Sequence, residues 1–309
     1  MFVLVLLLLA LGPAAAQEIL LYPEFQRPSP RGDIVPADRG GRQWEIISPA
    51  MPRNGHAGFF VAARLREPGF FRLDIAMNPV GRLRADLYRV WFGDPDASGE
   101  RYPGRLTLVG QTVAGRFPDD EQSAPDPPEH QPAPASPASI PARPRADAAG
   151  IYWLDLYAPR DLPSGRIRLE VVLQSAGPRV VYPMEVRILP IAFPDRKGAS
   201  DWKGAKAAGT QPDQTRAAQP AQTIALQFFS AWWNAQPLPL PASRNEPLTV
   251  ESRIERDVLQ DLELLESLAP KLGRDKLRAD VSRLMAGDNL PPDRWLEVRR
   301  WIYRTAQGR

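Results

Sequence analysis

Between Ile151 and Ile188 apolar and polar residues alternate on both sides of the turn Ala158-Pro159-Arg160-Asp161-Leu162-Pro163-Ser164-Gly165. Ile167, Leu169, Val171 and Leu173 form one face, with Arg166, Arg168 and Glu170 between them. Such period-two patterning describes a half-buried antiparallel strand with one side on a core and the other in water. A second alternating run follows the turn Ser175-Ala176-Gly177-Pro178 and places Tyr182, Met184, Val186 and Ile188 on one face. Pro183 has no amide hydrogen to donate, which predicts an edge position for that strand. The pattern constrains the fold class and leaves the reaction, if any, open.

Upstream, six short runs read as strands: Ile19 to Tyr22, Trp44 to Ile47, Gly58 to Leu65, Phe70 to Met77, Arg84 to Phe92, and Leu106 to Val113. Turn sequences such as Arg53-Asn54-Gly55 and Asn78-Pro79-Val80-Gly81 separate them. Many short strands with Gly and Pro turns predict two packed antiparallel sheets, completed by the strands after Ile151.

The 35 prolines are about twice the usual share of roughly 5%. Nine of them fall between Pro118 and Pro144, where Ile140 is the only aliphatic residue larger than alanine. Residues 117–149 therefore read as a disordered insert, unable to bury enough apolar surface to offset the entropy of ordering. A second linker spans 195–221, and 222–309 reads as helical. Val250, Ile254, Val258, Leu262 and Leu265 repeat at helical spacing, with Thr249 as N-cap and Pro270 just past the end. Leu277, Val281 and Leu284 form a second stripe, and Trp295, Val298 and Ile302 a third after Pro291-Pro292. Ala221 to Asn234 is the remaining helix, although its Phe and Trp pairs also suit a strand. The mixed charges from Val250 onward read as a solvated surface.

At the N-terminus, Phe2 to Leu11 is an unbroken apolar run followed by Ala14-Ala15-Ala16, the pattern of a signal peptide (1–16) cleaved before Gln17. The expectation is export to the periplasm or beyond, with no membrane span after cleavage. Without cysteine there is no disulfide or thiolate metal site. The net charge of +3, from 39 basic and 36 acidic residues, gives no footprint for nucleic acid.

Candidate chemistry is sparse. Neither His56 nor His130 stands at metal-ligand spacing from another histidine, so no metal site and no cofactor are expected, and His56 reads as a surface residue. Trp153, Asp155 and Tyr157 share one strand face, an acid beside aromatic rings in the manner of a sugar site. The competing reading is a solvent-facing acid beside a turn. Trp202, alone in the second linker, and Trp295 on the last helix are candidate partner contacts. Arg31-Gly32-Asp33, flanked by Pro28, Pro30 and Pro36, reads as a plain loop, and Asp38-Arg39-Gly40-Gly41 as a turn.

The run Trp153-Leu154-Asp155-Leu156-Tyr157-Ala158-Pro159-Arg160-Asp161-Leu162-Pro163-Ser164-Gly165 and the strand after it resemble immunoglobulin-like β-sandwich modules. Those modules precede catalytic barrels in bacterial secreted glycoside hydrolases. The resemblance implies that the strands of 17–194 form an immunoglobulin-like sandwich; the small helical region after it is read from its own apolar stripes. A barrel takes about 250 residues, more than follow the second linker, so no catalytic residue carries over. The function expected is an exported, non-catalytic binding or assembly protein acting on an envelope protein or polysaccharide; the alternative is a small envelope hydrolase acting on glycan.

Overall fold

Alternation along the chain resolves into two five-stranded sheets and four helices in a computed structural model that describes residues 17–41, 48–65, 69–117, 149–194, 219–234, 248–287 and 291–308. Sheet I runs in the order β1 (Glu18–Pro23), β3 (Gly55–Arg64), β8 (Gly150–Ala158), β5 (Arg84–Phe92), β6 (Pro103–Gly110). Sheet II runs β2 (Ala50–Arg53), β10 (Val180–Ala192), β9 (Gly165–Gln174), β4 (Gly69–Asn78), β7 (Thr112–Phe117). All neighbours are antiparallel except β2 and β10. The sheets share a core in which Ile167, Leu169, Val171 and Leu173 of β9 join Val61, Leu87 and Leu154 of sheet I. Pro183 lies where β10 pairs with β9; among the described residues β2 joins only from Arg187 to Ala192, so the missing amide hydrogen costs no ladder bond.

One expected strand divides. Leu106 to Val113 turns at Gly110 (φ 95°), a backbone conformation that favours glycine, so β6 ends in sheet I and β7 begins in sheet II.

The helices are α1 (Gln222–Trp233), α2 (Val250–Leu272), α3 (Arg274–Leu284) and α4 (Arg294–Ala306). They dock on the face of sheet I turned away from sheet II. Ile254, Val258, Leu262 and Trp295 share one apolar cluster there with Phe60, Val90, Ile151 and Trp153. Sheet I is consequently buried on both faces. Thr249 caps α2 as expected, in a reciprocal box with Ser252. Pro270 corrects the predicted end: it lies inside the last turn, and the helix stops at Leu272, before Gly273 (φ 82°). The solvated-surface reading of α2 is also corrected, because Arg256, Asp257, Gln260 and Asp261 are all buried.

The predicted signal segment, Trp44 to Ile47, residues 118–148 of the proline-rich insert with His130, and Trp202 lie outside the described residues; the insert's ends are corrected, since Phe117 closes β7 and Ala149 is fully buried. Ala221, the last residue of the predicted linker, is buried and donates its amide to Asp38 Oδ1 at 2.8 Å.

Candidate functional site at the interface of sheet and helices

Trp153, Asp155 and Tyr157 do share a face of β8, and that face looks into the helical layer. Trp153 is fully buried, its ring 4.9 Å from that of Phe60 in edge-on contact. The indole lies across Gly58 of β3, where an added Cβ would stand 1.9 Å from Trp153 Cζ2. Only a glycine lets the ring lie flat on the neighbouring strand. Tyr157, half-buried, donates its hydroxyl to Asn54 Oδ1 and sits 4.8 Å from the His56 ring.

Asp155 is 5% exposed, which corrects the solvent-facing reading. Arg256 of α2 binds it through two parallel hydrogen bonds of 2.8 Å, and Arg253 Nη1 lies 3.2 Å from Oδ2. His56 Nδ1 lies 3.3 Å from Oδ1, so His56 is no bland surface residue, and its amide donates to Gln260 Oε1 of α2. Arg256 also bonds Asp257 at 2.8 Å, while Arg253 donates to the Tyr88 hydroxyl and stacks over its ring. Burial alone would raise the Asp155 pKa. The Arg256 charge and the hydrogen bonds from His56 and Arg256 outweigh it and hold the carboxyl well below the usual carboxylate range.

One turn further along α2, Asp261 accepts from Trp295 Nε1 (2.9 Å), Arg299 Nε (2.8 Å) and the Tyr303 hydroxyl (3.1 Å). Trp295 is therefore a buried anchor, which corrects its candidacy as a partner contact. Arg299 Nη2 also forms an ion pair with Glu24 Oε1 at 2.6 Å. Four carboxylates, Glu24, Asp155, Asp257 and Asp261, thus meet three arginines, 253, 256 and 299. The surplus negative charge gathers at Glu24. Burial pushes its carboxyl up to about 7, against the pull of Arg299 and with help from Asp257 and Asp261.

Chemically, this arrangement fastens layers together. Asp155 stays ionised and has both oxygens engaged, so it has no proton to donate. Removing one partner of such a buried pair typically costs about 3–5 kcal/mol, because the other charge is left uncompensated. No group of three His, Cys, Asp or Glu suited to a metal ion occurs among the described residues. The pocket bounded by Arg27, Ala221, Ile224 and Glu251 has about 10 Å³ of room, the space of a single water. At the loop after β1, Asp38 is buried against Arg27, and Asp33 of the Arg-Gly-Asp sequence is bound to Arg64 at 2.6 Å.

Sequence reasoning named Asp155 and missed its partners. Two signals were present. Asp155 interrupts a run, Ile151 to Leu156, that is apolar on both faces, and an acid there needs a buried partner. Residues 253, 256, 257, 260 and 261 are polar at the same helical period as the apolar stripe beside them.

No family model matches the chain, and no curated protein matches it. Among solved structures it is similar to a family 123 glycoside hydrolase from Clostridium perfringens, with 7% identity and a TM-score of 0.35 over 58% of this chain and 28% of that one. It is also similar to a DUF4466 family protein from Parabacteroides merdae, with 9% identity and a TM-score of 0.29 over 57% and 46% of the two chains. A third is the C-terminal domain of the Streptococcus agalactiae AgI/II polypeptide BspA, with 12% identity and a TM-score of 0.26 over 49% and 48%. The chain spans less than half the length of each of these three.

Proposed function

We propose that this chain is an exported, non-catalytic binding or assembly protein of the bacterial cell envelope. In this reading an immunoglobulin-like sandwich over 17–194 carries the helical region 222–309 on one sheet, joined by the linker 195–221. The observation that carries the non-catalytic reading is the state of Asp155, the acid most suited to glycan chemistry: buried, ionised and held by Arg256, Arg253 and His56. Glycoside hydrolysis requires a carboxylic acid that can protonate the leaving group, with a second carboxylate about 5–10 Å away across an open cleft. Asp155 is held ionised and lies buried beneath α2, so it has neither a proton to give nor an open cleft before it. Among the described residues no helix is long and apolar enough to cross a membrane.

Two measurements test the proposal. N-terminal sequencing of protein from the cell envelope should find Gln17 first; a retained Met1 in the membrane fraction points to an uncleaved anchor. Purified mature protein should release no reducing ends from envelope glycan. Release that disappears in Asp155→Asn, with the fold intact, establishes the hydrolase instead.

A further inference from the structure

We infer that the outer face of sheet II docks an extended acidic segment of a partner polypeptide with an apolar side chain at one end. This deepens the binding reading above and rests on it. Along β4, β7, β9 and β10 every second residue points away from the shared core, and five of these outward residues are arginines. Arg72 is taken by Asp74 at 2.8 Å and Arg166 by Glu185 at 3.1 Å. Arg116, Arg168 and Arg187 are in no ion pair among the described residues, and Glu170 is the one outward acid left to balance them.

The arrangement also carries a repulsion. Arg166 and Arg187 stand directly opposite each other on β9 and β10. Like charges in that register destabilise a sheet; Glu185 already offsets the pair at Arg166, and a further carboxylate beside Arg187 completes the compensation. At the other end of the face, Phe70 is 77% exposed beside its cross-strand partner Arg116, and Val181, level with Asp74 towards the middle of the face, is 39% exposed. From the Phe70 end to the Arg166 end the face runs about 30 Å, at ~3.3 Å per residue, which an extended segment of about ten residues spans. A bare phenyl ring and a valine offer apolar contact without the polar handle that sugar recognition uses, which favours a polypeptide over an acidic polysaccharide.

The test uses purified mature protein and fluorescence anisotropy of a labelled synthetic peptide, Phe-Leu-Ser followed by seven alternating Glu and Asp. Binding should weaken at least tenfold in the double variant Arg168→Glu with Arg187→Glu, about threefold in Phe70→Ser, and steadily with added salt. Melting curves matching the parent's establish that both variants fold. No binding, or equal affinity for parent and double variant, overturns the inference. Displacement of the peptide by polygalacturonate with Phe70→Ser without effect assigns the face to an anionic glycan and also overturns it. A tenfold gain in affinity on replacing 118–148 by a Gly/Ser loop makes the chain's own acids, from Asp119 to Glu129, the occupant, and so rejects a partner in trans. Failure in any of these arms leaves export and the absence of glycan turnover untouched, since those are read by sequencing and by reducing-end release.

Discussion

Sheet I and sheet II share one core and differ in what covers their other face. On sheet I the outward residues of β8 and β3 are Ile151, Trp153, Asp155, His56 and Phe60, and the helical layer lies over them. On sheet II the outward residues are mostly polar and exposed, with Phe70 among them. The difference shows why an acid on a strand cannot be assigned a role from its strand alone. Asp74 on sheet II and Asp155 on sheet I both pair with arginine, yet Arg72 is exposed whereas Arg256 is buried. Surface pairs contribute roughly 0–1 kcal/mol, while breaking a buried pair costs several.

The largest expected effects lie on sheet I. Gly58→Ala drives a methyl into the Trp153 ring, and Trp153→Ala empties the site of a fully buried ring. The latter should cost about 3–5 kcal/mol in denaturant unfolding. Arg256→Ala leaves Asp155 and Asp257 without their shared cation and should cost a similar ~3–5 kcal/mol. The same substitution at Arg72 on sheet II should change stability by no more than about 0.5 kcal/mol. Comparable losses at Arg256 and Arg72 would erase the contrast between the sheets.

A smaller effect sharpens the comparison through pH. Glu24 binds its proton more tightly folded than unfolded, because its carboxyl is raised to about 7 in the fold. Its contribution to stability is therefore fully present below about pH 4.5 and is lost as pH rises through about 7, a change on the order of 3 kcal/mol. Asp155, held low by Arg256, acts in the opposite sense: its contribution is present above the ordinary carboxylate range and is lost as pH falls below it. Thermal melts between pH 5 and 8 should fall in the parent and flatten in Glu24→Gln. A parent melting temperature that rises across this window contradicts the buried Glu24.

Smaller again is the cap of α2. Thr249→Ala removes the acceptor for the Ser252 amide and should cost about 1 kcal/mol. Phe70→Ser on the open face should leave the unfolding midpoint within about 0.5 kcal/mol of the parent.

Much of this architecture was legible in local pattern. Alternation located β4, β5, β9 and β10, and the stripe from Val250 to Leu265 located α2 with its cap. The split between β6 and β7 was hidden because apolar residues continue on both sides of Gly110, and only its backbone conformation sends the chain to the other sheet. The ionic site was half legible. Asp155 stood out, but its partners come from residues about a hundred positions away, and sequence distance carries no record of that pairing. Trp295 stood on an apolar helix stripe and was also a candidate partner contact; the buried Asp261 that accepts its indole N–H decides for the core.

The central claim, that the helical layer is fastened to sheet I through Asp155 and Arg256, is tested most directly by a double-mutant cycle. Asp155→Asn, Arg256→Gln and their combination would be compared by urea unfolding of the purified protein. A buried, doubly hydrogen-bonded pair predicts a coupling of about 2–3 kcal/mol, with the double variant less damaged than the sum of the singles. Additivity within about 0.5 kcal/mol would mean that the two side chains do not act on each other, and the helices would then owe their place on sheet I to apolar packing alone.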